Sequence, residues 1–158
     1  MDKLIMIDLE KCIGCRLCEQ MCSLHHENAI RPAYSRIHAI LWEEEGVSVP
    51  VVCIQCDEAP CVGACKYDAL WRDPSTGAIL VMEENCIGCK MCMVACPYGC
   101  MGYDKDRHKV FKCDLCGGDP KCCDICPSGA LSYIKAEKTA IDKKRSFARP
   151  YARQVSGH

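Results

Sequence analysis

The chain alternates short apolar stretches with breaks of polar, glycine and proline residues, and the apolar stretches predict β-strands. Residues 4–9 form the first candidate strand and residues 130–134 the last. Between them, three pairs of stretches flank turn-forming residues, a pattern that is typical of β-hairpins. The predicted hairpins join residues 36–42 to 47–52, residues 69–72 to 78–82, and residues 101–103 to 109–112.

Four cysteine-rich segments separate these strands, and we expect a short helix after the loop of each one. The first and third segments read C-x2-C-x2-C-x3-C, whereas the second has the looser spacing C-x2-C-x4-C-x3-C. Gly14 and Gly88 hold the same place in their loops, where a positive φ would let the backbone bend. Residues 18–26 are the helix predicted after the first loop. The four segments are residues 12–22, 53–65, 86–97 and 113–127.

Eighteen cysteines in 158 residues far exceed ordinary usage, and such density indicates a disulfide scaffold or metal sites. The chain shows no apolar run long enough to span a membrane and no signal peptide. We therefore expect a cytoplasmic protein, in which dense cysteines indicate metal because disulfides are rare there. With two Trp, two Phe and six Tyr, the core is expected to contain inorganic clusters, whose oxygen sensitivity favours an anaerobic cell.

The spacing C-x2-C-x2-C-x3-C-P at residues 86–97 is the one by which bacterial-type ferredoxins bind a 4Fe–4S cluster through thiolates. In two-cluster proteins the fourth cysteine ligates the other cluster, so each segment predicts a partner segment. Sixteen cysteines sort into four quartets, which predicts four 4Fe–4S clusters. Cys100 is left over and is expected to be a small buried apolar residue. Of Cys122 and Cys123, the x3 spacing to Cys126 favours Cys122 as the ligand.

The formal net charge of −1 omits the charge of bound metal. An oxidised 4Fe–4S cluster with four thiolates carries about −2, so four clusters would bring the chain to about −9. Backbone N–H groups and Lys or Arg side chains are therefore expected close to the cluster sulfurs.

Zinc ribbons are the main alternative, because C-x2-C pairs also hold zinc and such folds often bind nucleic acid. A C-x2-C-x2-C loop, however, has one thiolate too many for the separated pairs of a zinc site. The net charge of −1 also argues against the basic surface that a nucleic-acid binder needs. Radical chemistry is disfavoured because the chain has no isolated C-x3-C-x2-C triplet.

Other polar groups favour no catalytic site. The sequence contains no glycine-rich phosphate loop after a strand and no nucleophile–base pair, so we expect an electron carrier with no substrate site of its own. His25 and His26 stand at the end of a predicted helix and are expected to be solvated or to cap it. The acidic run at residues 43–45 is expected to be a solvated loop.

With its four segments, the chain resembles the four-cluster iron–sulfur subunits of anaerobic oxidoreductases, such as those of the dimethyl sulfoxide reductase, formate dehydrogenase and nitrate reductase families. The match looks closest to the small polyferredoxin subunit that accompanies tungsten aldehyde oxidoreductases and class II benzoyl-CoA reductases. The chain departs from that pattern at Lys66, at the compressed residues 117–121 and at Cys123. The resemblance covers about residues 3–135 and is carried by Cys18-x3-Cys22-Ser23-x-His25, Arg31-Pro32-x2-Ser35-Arg36-Ile37, Cys53-x2-Cys56-x3-Pro60-Cys61-x3-Cys65 and Lys112-Cys113-Asp114-Leu115-Cys116.

The resemblance implies a nested sharing of cysteines, first segment with fourth and second with third. Sequential sharing, first with second and third with fourth, obeys the same exchange rule and stays open on spacing alone. The nested quartets are Cys12, Cys15, Cys18 and Cys126; Cys113, Cys116, Cys122 and Cys22; Cys86, Cys89, Cys92 and Cys65; and Cys53, Cys56, Cys61 and Cys96.

The fold expected from this resemblance is α+β, with two fused dicluster-ferredoxin-like modules of short helices and hairpins over residues 1–135. The basic residues 136–158 would form a tail that docks on a partner subunit, since such tails are usually disordered unless something holds them. The implied function is single-electron transfer between a catalytic subunit of tungsten or molybdenum type and another redox partner, within a hetero-oligomer. A free-standing polyferredoxin that serves several partners is the alternative.

Overall fold

A computed structural model of the chain describes residues 3–135. The basic tail predicted at residues 136–158 lies outside the described residues. Over residues 3–135 the chain is a mixed helix–strand fold of four two-stranded antiparallel sheets connected by short helices. In this part of the chain no helix combines the length and the apolar character that crossing a membrane requires.

Three of the sheets are the predicted hairpins, and their strands agree with the predicted boundaries to within one residue. Side chains of the turns hold them closed: Asp73 accepts hydrogen bonds of 2.6 Å from the hydroxyls of both Ser75 and Thr76. Asp104 in the third hairpin accepts a 2.8 Å bond from the Asp106 N–H. The hairpins are β2 (Ile37–Trp42) with β3 (Val47–Val52), β4 (Leu70–Arg72) with β5 (Ile79–Val81), and β6 (Met101–Asp104) with β7 (Lys109–Lys112).

The fourth sheet joins the two ends of the described chain. Strand β1 (Lys3–Ile7) pairs antiparallel with β8 (Leu131–Lys135), and Ile7 lies opposite Leu131. The predicted extension of the first strand to residue 9 is wrong. A 3-10 turn takes over at Leu9–Lys11, where the Lys11 N–H donates to the Asp8 oxygen at 3.3 Å and the two side chains form an ion pair of 2.8 Å.

Four α-helices follow the cysteine loops: α1 (Leu17–Glu27), α2 (Pro60–Gly63), α3 (Met91–Ala95) and α4 (Lys121–Asp124). The helix predicted over residues 18–26 is confirmed as α1. Left-handed residues, Arg16 at φ 58° and Lys90 at φ 66°, turn the chain into α1 and α3. Proline, whose φ suits a first helical turn, begins α2 and precedes α4. Three of these helices have five residues or fewer, so packing rather than intrinsic propensity must hold them.

The buried apolar side chains form two clusters, in which cysteines are interleaved with a few aliphatic residues. Full burial of one such side chain, for example Ile37 in the first cluster, stabilises the fold by about 1.5–3 kcal/mol. We call the first cluster core 1; its aliphatic members are Ile5, Ile37, Val52, Leu115 and Leu131. We call the second core 2; its larger apolar members are Leu70, Ile79, Met101 and Val110.

Candidate iron–sulfur cluster sites

Two of the cysteine loops bend at a glycine that immediately precedes their second cysteine. Gly14 has a φ of +68° and Gly88 a φ of +70°, as predicted. A Cβ on Gly88 would lie 2.4 Å from the backbone oxygen of His108, so this loop also needs glycine for space. We call residues 12–18 and 86–92 the glycine loops. The positive φ folds each loop so that its three cysteines face one centre.

The other two loops bend at the same position without glycine, which the sequence did not predict. Gln55 has a φ of 53° and Leu115 a φ of 57°. Left-handed backbone costs a residue with a Cβ roughly 1–2 kcal/mol, so other contacts must compensate. Leu115 is fully buried in core 1, and Gln55 is hydrogen-bonded inside the protein. We call residues 53–61 and 113–122 the non-glycine loops, because the residue before their second cysteine is not glycine.

The helices carry cysteines toward two different loops. Helix α1 contains Cys18 and Cys22, one turn apart, and packs against α4, which contains Cys122. Helices α2 and α3 pack against each other in the same way. Cys65 follows α2 and Cys96 follows α3. Each helix pair therefore stands between two cysteine clusters and supplies a cysteine to both.

The structure brings the sixteen candidate ligands together in four groups, each around one cavity. Each contains three cysteines of one loop and one cysteine from the partner segment. Cavity A is lined by Cys12, Cys15, Cys18 and Cys126; cavity B by Cys113, Cys116, Cys122 and Cys22; cavity C by Cys53, Cys56, Cys61 and Cys96; and cavity D by Cys86, Cys89, Cys92 and Cys65.

Two cysteines lie beside these groups. Cys100 is half-buried at the edge of cavity C, and its N–H lies 3.4 Å from the Cys96 sulfur. Cys122 is buried and lines cavity B, whereas Cys123 packs against core 1 from outside that group. All eighteen cysteines fall within residues 3–135, and none of them forms a disulfide.

A network of charged side chains closes one wall of cavity B. The His26 Nε2 lies 3.1 Å from Asp114 Oδ1, and the Arg36 guanidinium lies 2.6 Å from Asp114 Oδ2. Burial opposes protonation of His26, but hydrogen bonds to Asp114 and Cys22 outweigh it and raise the His26 pKa to about 9. The expectation that His26 is solvated is therefore wrong, because its side chain is only 9% exposed. The alternative of a helix-end contact agrees with its Nδ1, which lies 2.8 Å from the Cys22 backbone oxygen in the last turns of α1. His25 is exposed, as expected.

The donors in cavity B fit a negatively charged cluster. The backbone N–H of Arg36 lies 3.2 Å from the Cys22 sulfur. The Arg36 Nε is buried and has no hydrogen-bond partner among residues 3–135, although its side chain lines the cavity. An unsatisfied buried donor is costly, and cluster sulfides or thiolates are acceptors that would satisfy it. The residues present thus suit a 4Fe–4S group in cavity B.

A buried lysine lines cavity C. Lys112 is 3% exposed, and its ammonium donates to the backbone oxygens of Ile79 at 2.7 Å and Cys113 at 2.8 Å. Its third hydrogen bond, of 3.0 Å, goes to the Gln55 side-chain oxygen. The Gln55 amide in turn donates to the Cys113 oxygen at 2.9 Å. Lys112 and Gln55 therefore connect a wall of cavity C to Cys113, a cysteine of cavity B.

Burial keeps several of the cavity thiols protonated in the free chain. Loss of hydration raises the pKa of Cys18 to about 12 and those of Cys92 and Cys116 to about 11. Cys22 is different: burial opposes its ionisation, but hydrogen bonds from His26 and the Arg36 N–H bring its pKa below the ordinary value. Since a metal binds the thiolate, loading of these sites must release protons.

Comparison with known families agrees with this geometry. Residues 45–136 match the family described as a 4Fe-4S dicluster domain, and residues 5–23 match a 4Fe-4S binding domain. The chain belongs to the 4Fe-4S dicluster ferredoxin family. The dicluster match contains three of the four cysteine segments, and the second match contains the first segment.

Relatives of this ferredoxin-like chain are electron-transport proteins. A polyferredoxin-like subunit of an aliphatic sulfonate oxidoreductase from Pyrococcus furiosus is 48% identical over 131 residues, which cover 83% of this chain and 75% of the relative. The putative electron transport protein YsaA of Escherichia coli is 42% identical, over 92% of this chain and 98% of its own length. The electron transport protein HydN of Escherichia coli is 36% identical, over 94% and 98%. The chain is thus an iron–sulfur electron-transfer subunit of the oxidoreductase type.

A solved structure shares the fold. A chain in the active site complex BamBC of benzoyl coenzyme A reductase superposes with a TM-score of 0.51 and 25% identity, covering 98% of this chain and 96% of that chain. The sequence resemblance to such polyferredoxin subunits is confirmed by these matches.

Proposed function

We propose that the chain holds four 4Fe–4S clusters, one in each of cavities A to D, and passes single electrons between a catalytic oxidoreductase subunit and a second redox partner. The observation that carries the proposal is the grouping of sixteen cysteines around four cavities, with four of them at each. Each group of four thiolates matches the ligand number of such a cluster. The bound clusters would supply the one-electron chemistry, and the protein would set their spacing, charge and access to water.

The grouping also supports the nested sharing of ligands. Cys126 from the fourth segment lies with the first loop, and Cys22 lies with the fourth. Cys65 and Cys96 are exchanged between the second and third segments in the same way. Cavities A and B border core 1, and cavities C and D border core 2, which supports the expectation of two ferredoxin-like modules.

The elements between neighbouring cavities support a linear order from A to D. Helices α1 and α4 lie between A and B, and helices α2 and α3 lie between C and D. Between B and C, the peptide bond from Lys112 to Cys113 joins one cavity wall to the other. Neighbouring cavities are thus joined by packed helices or by one peptide bond. Such short connections suit the transfer of single electrons from one cluster to the next.

Each end cavity has an exposed cysteine, which cavities B and C do not have. Cys15 in cavity A and Cys89 in cavity D are exposed, whereas Cys113 and Cys122 in cavity B are buried. Exposed apolar side chains accompany both exposed cysteines: Ile13 is 67% exposed and Ile87 is 57% exposed. Electrons would therefore enter at one of these ends and leave at the other, with a partner protein at each.

The catalytic partner in this proposal contains a tungsten or molybdenum cofactor, as expected from the resemblance. Support comes from the relatives whose names place them in oxidoreductase complexes, an aliphatic sulfonate oxidoreductase and a benzoyl coenzyme A reductase active site complex. The cytoplasmic, anaerobic setting and the docking role of residues 136–158 stay predictions. Purification of the native chain with its partners, followed by metal analysis, tests the class of the catalytic subunit.

Anaerobic reconstitution tests the cluster content. The full chain should bind about sixteen irons and about sixteen sulfides. The optical spectrum should bleach on reduction, and each reduced cluster should add one electron spin. Stoichiometric zinc without sulfide would overturn the proposal, and about eight irons would reduce it to two clusters.

A free-standing carrier is the second candidate, and its support is the full-length match to electron transport proteins that are named without a complex. Size exclusion of a native extract distinguishes the two. Elution at the mass of one chain indicates a diffusible carrier, whereas elution with a larger redox subunit indicates a fixed subunit of a complex.

A further inference from the structure

We propose that Lys112, held in place by Gln55, is a potential-setting residue for the two inner clusters, those in cavities B and C, and makes both of them easier to reduce. The inference rests on the proposed function, because it assigns a role toward clusters that the chain would bind. It assigns to two of the four sites a charge that sets the reduction potential, which neither the family matches nor the relatives describe.

The hydrogen bonds of Lys112 indicate a fixed ammonium group inside the protein. A lysine has three N–H donors, and all three are satisfied, by two backbone oxygens and the Gln55 side-chain oxygen. Gln55 is itself held by the N–H of Ile79 at 2.9 Å and by the Cys113 oxygen at 2.9 Å. These contacts hold the ammonium beside cavity C and against the backbone of Cys113, a cysteine of cavity B.

Among residues 3–135, no carboxylate contacts this ammonium to balance its charge. Its three acceptors are neutral oxygens, and a lysine this deeply buried is ordinarily paired with an opposite charge. Lys112 lines cavity C, and its ammonium lies 2.8 Å from the backbone oxygen of Cys113, a cysteine of cavity B. A thiolate-ligated cluster in each of these cavities would supply the missing negative charge.

Reduction changes that balance in a definite direction. One electron from an external donor converts a cluster with its four thiolates from about −2 to about −3, and no bond or proton changes place at Lys112. A nearby fixed cation stabilises the more negative state more strongly. In the interior this effect is large because little water screens it. Lys112 should therefore favour reduction of the clusters in cavities B and C.

The cations at the end cavities are less buried than Lys112. Lys109 donates to the backbone oxygen of Cys86, a cysteine of cavity D, at 2.6 Å, but this lysine is only half-buried. Arg16 beside cavity A is exposed and paired with Glu19 at 3.1 Å. Lys90 beside cavity D is exposed and lies over the Tyr103 ring, 3.9 Å from its centroid. Solvent and these partners screen such charges. The contrast predicts that a neutral residue at position 112 affects two clusters far more than the other two.

The experiment is a redox titration of the cluster-loaded full chain, followed by electron paramagnetic resonance, with wild type, Lys112→Met and the exposed control Lys105→Met. For Lys112→Met we expect two of the four one-electron steps to become at least about tenfold less favourable, which corresponds to about 59 mV. The other two steps, and all four steps of Lys105→Met, should change much less. Iron and sulfide contents are measured on each sample.

A second variant keeps the test decisive if Lys112→Met does not load its clusters. Gln55→Glu places a carboxylate against the ammonium and should shift the same two steps in the same direction, while Lys112→Arg, which keeps the charge, should leave them close to wild type. Full cluster content with four unchanged steps, or with one equal shift of all four, overturns the inference alone. A wild-type chain without iron and sulfide overturns the proposed function instead.

Discussion

The glycine loops and the non-glycine loops make the same bend before their second cysteine, but they are held in it by different means. Gly14 and Gly88 adopt the positive φ at no steric cost. Gln55 and Leu115 adopt it with a side chain that the protein interior engages. The bend in a glycine loop is thus a local property, whereas the bend in a non-glycine loop depends on packing.

This difference follows the burial of the bent residue and not the position of the whole loop. The residue two places after the first cysteine is buried where it is Gln55 or Leu115. The residue before the bend is exposed in three of the loops, where Ile13 is 67%, Ile54 is 49% and Ile87 is 57% exposed. A bend at glycine is therefore specified locally, whereas a bend at Gln55 or Leu115 is specified by the interior contacts of that side chain.

The largest effect is expected from the cysteines exchanged between the two kinds of loop. Cys96→Ala should remove the cluster of the non-glycine loop at cavity C, and about a quarter of the iron with it. Cys65→Ala should instead remove the cluster of the glycine loop at cavity D. Iron analysis and spin quantification of both variants check this. Loss of the cavity D cluster from Cys96→Ala would contradict the nested sharing.

Truncation of the bent residue in a non-glycine loop should cost the most stability. Leu115→Ala removes a fully buried side chain from core 1 and is expected to lower the free energy of unfolding by about 2–5 kcal/mol. Ile13→Ala, an exposed position in a glycine loop, should change it by about 0.5 kcal/mol or less. Anaerobic denaturant unfolding of the loaded chain measures both. Equal effects would mean that the two kinds of loop are held alike.

The two glycines should differ from each other. Gly14→Ala adds the cost of a positive φ, roughly 1–2 kcal/mol, with the nearest side-chain atom 3.3 Å from the new Cβ. Gly88→Ala adds the same cost and a collision with the His108 oxygen, so its loss of stability should be clearly larger. The unfolding free energies of the two variants check this order. A Gly88→Ala variant as stable as Gly14→Ala would show that the β6–β7 turn moves aside freely.

The smallest effect is expected at the cysteine beside the fourth loop. Cys123→Ala should leave the iron content unchanged, because Cys122 and not Cys123 lines cavity B. Its change in unfolding free energy should be about 1 kcal/mol or less, since Cys123 is only partly buried. The matched variant Cys122→Ala should lose the cavity B cluster. The opposite result would exchange the two assignments.

The sequence by itself determined the features that depend on neighbouring residues. The spacing of the cysteines indicated 4Fe–4S binding segments, and alternating apolar positions with turn residues predicted the three hairpins. Gly14 and Gly88 indicated their positive φ because glycine readily adopts it. Each of these signals lies within a few consecutive residues, where backbone sterics and local hydrogen bonds act.

Only the tertiary structure decided what depends on residues far apart in the chain. Pairing of β1 with β8 joins residues more than a hundred positions apart, and no local pattern specifies it. In the sequence His26 is an ordinary helix-end histidine. In the fold it contacts Asp114, which also forms an ion pair with Arg36. Lys112 and Gln55 gained their roles only through burial, since a polar side chain is forced to find partners when packing removes it from water. The bends at Gln55 and Leu115 have the same origin, because interior contacts compensate a backbone conformation that these residues would not adopt alone.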